Sequence, residues 1–188
     1  MNNGIKYILL ILVLITASIV NAEETAEETT TKIYTLPNHG NLQLSVPQLW
    51  KDDLRQPTKK LPPTIVFTPQ NGSSFQVLLT PIISIQKDMV MPTASKVKAA
   101  IESKVEQIKS QAVESNIIIR ELKGPEVEGY YFSATDKSPK TGEYKYMTQG
   151  IFLVGDLTST FTILTNDGAG EKIINDSISM LKSAVHVY

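Results

Sequence analysis

Two long apolar runs separated by a two-residue turn limit this chain more than any other feature. Ile151-Phe152-Leu153-Val154 leads into Gly155-Asp156, and Leu157 then opens a run that closes on Phe161-Thr162-Ile163-Leu164. A glycine–aspartate pair between extended apolar segments is hairpin chemistry, because both residues tolerate the positive φ of tight turns. Two residues leave no room for a crossover, so the two strands must be antiparallel neighbours. Apolar residues also fall on both faces of these strands, so the sheet needs cover on both sides.

The same reasoning extends along the chain. Ile33 to Leu36 reads as a short strand, and Asn38-His39-Gly40 supplies a turn. Leu42, Leu44 and Val46 then alternate on one face. Pro47 to Trp50 reads as one helical turn, with Trp50 as a core plug. Residues 51–63, charged and proline-rich, read as a surface loop. Strands are expected over 64–68 and 75–80, about a Gln70-Asn71-Gly72-Ser73 turn. Four more are expected near 117–123, 127–135, 143–154 and 157–165. Ala94, Val97, Ile101, Val105, Ile108 and Ala112 step by three and four, predicting a helix over 93–115 with Thr93 as N-cap. A final helix is expected over 170–184. The expected fold class is α+β: an antiparallel β-sheet flanked by helices on both faces, a three-layer α/β/α sandwich.

Residues 1–22 carry Lys6, an apolar run from Tyr7 to Ile15 that weakens through Val20, and small residues at Val20-Asn21-Ala22. This is the pattern of a cleaved export signal, with a mature start at Glu23 and a destination in the periplasm or outside the cell. The apolar core is shorter than the roughly 20 residues a spanning helix needs, so membrane contact is expected only during export. Residues 23–31, acidic and threonine-rich, read as a disordered tether, and 32–188 as a single domain. The 188 residues include 18 basic and 19 acidic ones, a net charge of -1 that gives no electrostatic case for nucleic acid. There is no cysteine, which excludes disulfides, thiol catalysis, cysteine-held metals and a lipoprotein anchor.

Catalytic signals are sparse. Ser179-Met180-Leu181-Lys182 and Lys140-Thr141-Gly142 match two motifs of penicillin-recognising serine enzymes, but in reversed order and without the third. Lys182 instead suits the dipole of a last helical turn. His39 and His186 lack ligand spacing. The closest carboxylate pairs are Asp52-Asp53 and Glu126 with Glu128; in each, solvated side chains explain the pairing better than acid–base or calcium chemistry. Gly168-Ala169-Gly170 reads as a helix start. No metal and no cofactor are expected. Tyr130, Tyr131, Phe132, Tyr144, Tyr146 and Phe152 fall on two successive strands, where packing outweighs a binding patch.

Val46-Pro47 followed by Trp50, then Gly129-Tyr130-Tyr131-Phe132, Tyr144 to Val154, Phe161 to Leu164 and a closing helix ending Ser183-Ala184-Val185 resemble, in that order, the PsbP-like and DcrB-like group. The resemblance covers about residues 33–188. It implies the α/β/α sandwich that this group shares with a Ran-binding nuclear import factor, and accessory or binding roles rather than catalysis. Its PsbP branch implies a place beside photosystem II and cation retention, but no metal motif is present to carry that over. The expected function is therefore an exported, non-enzymatic accessory protein of the cell envelope that binds a protein partner. An extrinsic photosystem II subunit and a secreted hydrolase are the alternatives. The expected docking surface combines two basic loops, one with Arg55, Lys59 and Lys60 and the other with Lys137 and Lys140.

Overall fold

The computed structural model describes residues 28–37, 39–56, 58, 61–82, 91–166 and 170–188. The export signal, Lys59 and Lys60 lie outside the described residues. The chain runs β1 (Thr29–Thr35), β2 (Asn41–Pro47), β3 (Trp50–Arg55), β4 (Thr64–Pro69), β5 (Phe75–Ile82), α1 (Ala94–Ile108), β6 (Ile119–Lys123), β7 (Val127–Thr135), β8 (Tyr146–Val154), β9 (Leu157–Thr165), α2 (Gly170–Lys182) and β10 (Val185–Val187). The strands form two sheets. One has seven strands in the order β3-β4-β5-β9-β8-β7-β6, and the other three in the order β1-β2-β10. Among the described residues every strand pairing is antiparallel, and the Gly155-Asp156 turn closes β8 on β9 with Val154 opposite Leu157.

The helix-flanked three-layer sandwich expected from the sequence is not what the chain forms. The regular structure of the described residues is mostly strand, and the helices are short, 15 and 13 residues. The reason is geometric. Seven strands spaced about 4.8 Å apart make a sheet roughly 30 Å wide, whereas a helix is only about 10 Å across. One helix per face leaves most of such a sheet bare. On one face the chain makes up the difference with strands: α2 lies beside the three-stranded sheet, and together they cover Ile65, Phe67, Val77, Leu79, Phe152, Phe161 and Ile163, all below 4% exposed. Leu42, Leu44 and Val46 of β2 supply the facing layer. Their alternation with half-buried Asn41, Gln43 and Ser45 is the period-two pattern of a half-covered strand.

Asp52 fastens the two sheets at their rim. It accepts a hydrogen bond from the Lys32 ammonium and one of 3.0 Å from the Tyr34 hydroxyl. Burial, and then the Asp52 carboxylate, push the Tyr34 hydroxyl well above the ordinary tyrosine range. Trp50 is buried as expected and packs on Phe75 and Phe67, with ring centroids 4.7 and 6.4 Å away. It opens strand β3 rather than closing a helical turn.

On the other face α1 lies over β7 and β8. Thr93 caps the helix by accepting from the Lys96 amide. Val97, Ile101 and Val105 are buried, and Ile101 and Val105 pack in a cluster with Phe132 and Ala134. The helix stops at Ile108, short of the expected Ser115, because the following residues join the sheet: Ala112 bridges to Asp136, and the Val113 amide donates to the Thr135 carbonyl at 2.8 Å. Ile108 is consequently only half-buried. Ile101→Ala is expected to cost about 2–5 kcal/mol and Ile108→Ala about 1 kcal/mol, read as shifts in the urea midpoint. Equal shifts would place the helix wrongly.

Candidate functional site

The end of the sheet where β7 finishes and β8 begins carries a cleft on each face. Both are consequences of cover that stops short. On the α1 side, the helix ends over β7 and β8 and leaves β9 and β5 open beside it. A cleft of about 590 Å³ results, floored by Ile108, Ala134, Met147 and Leu164 and walled by Tyr144. Gln149 also lines it. Its amide nitrogen donates to the Thr162 hydroxyl at 3.4 Å, while its side-chain oxygen is buried without a donor. Lys104, Asp136, Glu143 and Lys145 rim the cleft with both signs of charge.

On the opposite face a cleft of about 520 Å³ opens under the first turns of α2. Its floor is polar. The Ser133 and Thr148 hydroxyls, paired across the strands, share a 2.8 Å hydrogen bond, and the buried Thr165 hydroxyl has no partner. Tyr131 stands beside them, and Arg120 faces it across β6 and β7. Glu114 lies at the mouth. Burial works to raise its pKa, but the Thr135 hydroxyl and amide, donating at 2.6 and 2.9 Å, outweigh burial and hold the carboxyl below the usual range. A carboxyl depressed by folding stabilises the fold above its unfolded pKa, and that contribution is lost as pH falls through the folded value. Glu114→Gln is therefore expected to lower stability by about 1 kcal/mol at pH 7, and by progressively less below about pH 4. Chemical denaturation across pH 3–7 checks this, and a gap that widens with acid would contradict it.

Of the residues expected to form one basic docking surface, the described ones do not all lie together: Arg55 stands apart from Lys137 and Lys140. Residues 51–55 belong to β3 rather than to a loop, and Arg55 ends that strand, pairing with Asp53 at 2.8 Å. Following the register from Arg55 through Thr64, Thr160 and Ile151 leads to Tyr130, seven residues short of Lys137. Five strand spacings and that offset separate Arg55 from Lys137 by about 30 Å. The Lys137 ammonium donates to the Ser110 carbonyl at 3.1 Å, tying the hairpin to the chain just beyond α1. The Lys140 amide donates to Glu143 at 3.0 Å. Their loop therefore stands at the rim of the α1-side cleft, without Arg55.

The aromatic residues divide by strand alternation. Phe132 and Phe152 are fully buried on opposite faces of the sheet. Tyr130 lies under the Lys98 ammonium, 5.8 Å from the ring centroid, and Tyr131 points the other way. The Tyr144 hydroxyl donates to the Ser73 carbonyl at 3.3 Å, and burial pushes its pKa up. Glu126 and Glu128 are exposed, and Asp52 and Asp53 serve separate ion pairs. Both histidines lie at the far end of the sheet, by the Gly155-Asp156 turn. There His186 Nε2 is 2.7 Å from the His39 carbonyl oxygen, and the Asp156 amide donates to His186 Nδ1 at 3.3 Å. Sequence reasoning missed Gln149, Leu164 and Arg120. Their signal was only strand alternation, which names a face but not the cover above it.

No family model matches the chain, and no curated protein matches its sequence. Among solved structures it is similar to the solution structure of cyanobacterial PsbP (CyanoP) from Synechocystis sp. PCC 6803, at 12% identity and a TM-score of 0.48, over 90% of this chain and 99% of that one. It is also similar to a crystal structure from Bacteroides thetaiotaomicron VPI-5482, at 10% identity and a TM-score of 0.46, over 78% of this chain. That match spans only 45% of the Bacteroides chain. The group that the sequence resembles has a member among these structural neighbours.

Proposed function

We propose that the protein is an exported, non-enzymatic accessory factor of the cell envelope that acts by binding another protein at the α1-side cleft. The observation that carries this is the cleft's construction. An apolar floor of Ile108, Met147 and Leu164 is bordered by Gln149 and by the charged Lys104, Asp136, Glu143 and Lys145. Concave apolar surface with a few convergent polar groups is the usual form of a binding site. The mixed charges at the rim suit the polar border of a protein interface. Export rests on the sequence of residues 1–22, and intact-mass analysis of the secreted protein should find Glu23 first.

Leu164→Lys introduces a charge into the cleft from a half-buried position. It is expected to leave the melting temperature within a few degrees of wild type and to weaken capture of envelope partners at least about tenfold. Undiminished capture by the folded variant would move the binding surface elsewhere.

A further inference from the structure

Sheet edges offer unpaired backbone groups to other strands, and proteins usually blunt them. Three of the four edges here are blunted. Strand β3 carries Lys51, Asp52, Asp53 and Arg55 within six residues, β6 carries Arg120, Glu121 and Lys123 within five, and β10 is three residues long. Strand β1 is different. It has seven residues, Thr-Thr-Thr-Lys-Ile-Tyr-Thr, with neither proline nor glycine. Its one charge, Lys32, is turned inward onto Asp52. Among the described residues β1 pairs only with β2.

The hydrogen bonds fix which backbone groups are unpaired. At one end of the β1–β2 ladder the Leu36 amide donates to the Gly40 carbonyl at 2.9 Å, and at the other the Gln48 amide donates to the Glu28 carbonyl at 2.9 Å. Both pairs lie in the register that joins Lys32 to Leu44. Antiparallel hydrogen bonding alternates along a strand, so the even-numbered residues of β1 bond to β2. The amides and carbonyls of Thr29, Thr31, Ile33 and Thr35 therefore point outward along the open edge. The side chains of these same residues are exposed, Ile33 at 64%.

We infer that β1 is a self-association edge, at which a second copy of this chain adds its own β1 antiparallel about a two-fold axis through Ile33. Such an edge is self-complementary: each outward amide meets an outward carbonyl, as an isologous contact requires. Centring on Ile33 keeps outer faces aligned. It packs Ile33 on the partner's Ile33, sets Thr31 opposite the partner's Thr35, and places Lys32 opposite the partner's Tyr34. No two like charges meet directly, and two exposed isoleucines cover one another. One strand edge falls short of the roughly 1,200 Å² of a stable interface, so the dimer is weak and reversible. The joined sheet has six strands.

The alternation of bonds also supplies a selective test. A proline at position 33 deletes an outward amide and leaves the β1–β2 ladder intact, since prolines are tolerated where the N–H side faces solvent. Sedimentation equilibrium of the mature chain is expected to show a monomer–dimer equilibrium with a dissociation constant of about 10–100 μM. Ile33→Pro, and separately Ile33→Lys, should weaken it at least about tenfold at an unchanged melting temperature. In amide exchange, Thr31, Ile33 and Thr35 should gain protection with protein concentration, while Lys32 and Tyr34 stay protected throughout. A wild-type chain monomeric at about millimolar concentration, a dimer that survives Ile33→Lys, or exchange at Ile33 independent of concentration would each overturn the inference.

Discussion

Phe161→Ala is expected to destabilise the fold by about 3–5 kcal/mol, a large part of the roughly 5–15 kcal/mol available to a domain. Phe161 sits on β9, the middle strand of the seven, and is 1% exposed. Its ring packs beside Phe152 and Tyr131, with centroids 6.2 and 6.3 Å away. Its cross-strand neighbour is Gly150, which has no side chain to relax into the space left by the ring. The cavity would therefore persist, and persistent cavities make truncations expensive. Thr160→Ala, half-buried on the opposite face of the same strand, should change stability by less than about 1 kcal/mol. Urea denaturation of the two variants distinguishes them, and similar midpoints would mean that the core is not centred on β9.

Gly150→Ala is the converse experiment. A Cβ on Gly150 would lie 2.4 and 2.5 Å from two ring carbons of Phe161 and 2.7 Å from the Tyr130 carbonyl oxygen. The ring can rotate away in part. The carbonyl belongs to the β7 backbone, so β7 and β8 must separate locally. The expected cost is about 3 kcal/mol, at the upper end of overpacking effects. Residues in contact do not act additively. Removing the ring takes away two of the three close approaches, so Gly150→Ala should cost less in the Phe161→Ala background than in wild type. Strictly additive losses would show that the ring and the glycine are not partners.

The parts of the fold that the sequence discloses are those set by neighbours along the chain. Strands β7 and β9 fall on their expected residues, 127–135 and 157–165, because turn chemistry bounds them. The start of α1 is marked by Thr93. What stayed hidden depends on contacts distant in sequence. Lys51-Asp52-Asp53-Leu54-Arg55 reads as loop because charge dominates it, yet those charges suit an edge strand beside β4. Val185–Val187 is too short to announce itself and becomes β10 only because Gln43 and Leu42 lie alongside. The mixed layer of α2 and three strands could not be read from helix periodicity, which reports that a helix has an apolar stripe but not how many strands it spans. The site followed the same division. Lys137 and Lys140 were visible as a polar hairpin tip, whereas their distance from Arg55 is a property of strand order. The cleft beneath that tip exists because α1 ends at Ile108, and the bridge from Ala112 to Asp136 that ends it joins residues 24 apart in the chain.

Docking of partners in the cleft beside α1 can be read out by site-specific photo-crosslinking. A photoreactive residue placed at Tyr144, on the cleft wall, is compared with one at Glu102, on the exposed side of α1. Both chains are expressed with their export segment and irradiated in intact cells. A discrete adduct to one envelope protein is expected from position 144, lost when Leu164→Lys is added, and none from position 102. Adducts from position 102 alone, or adducts from position 144 that persist with Leu164→Lys in a folded chain, would contradict docking in this cleft.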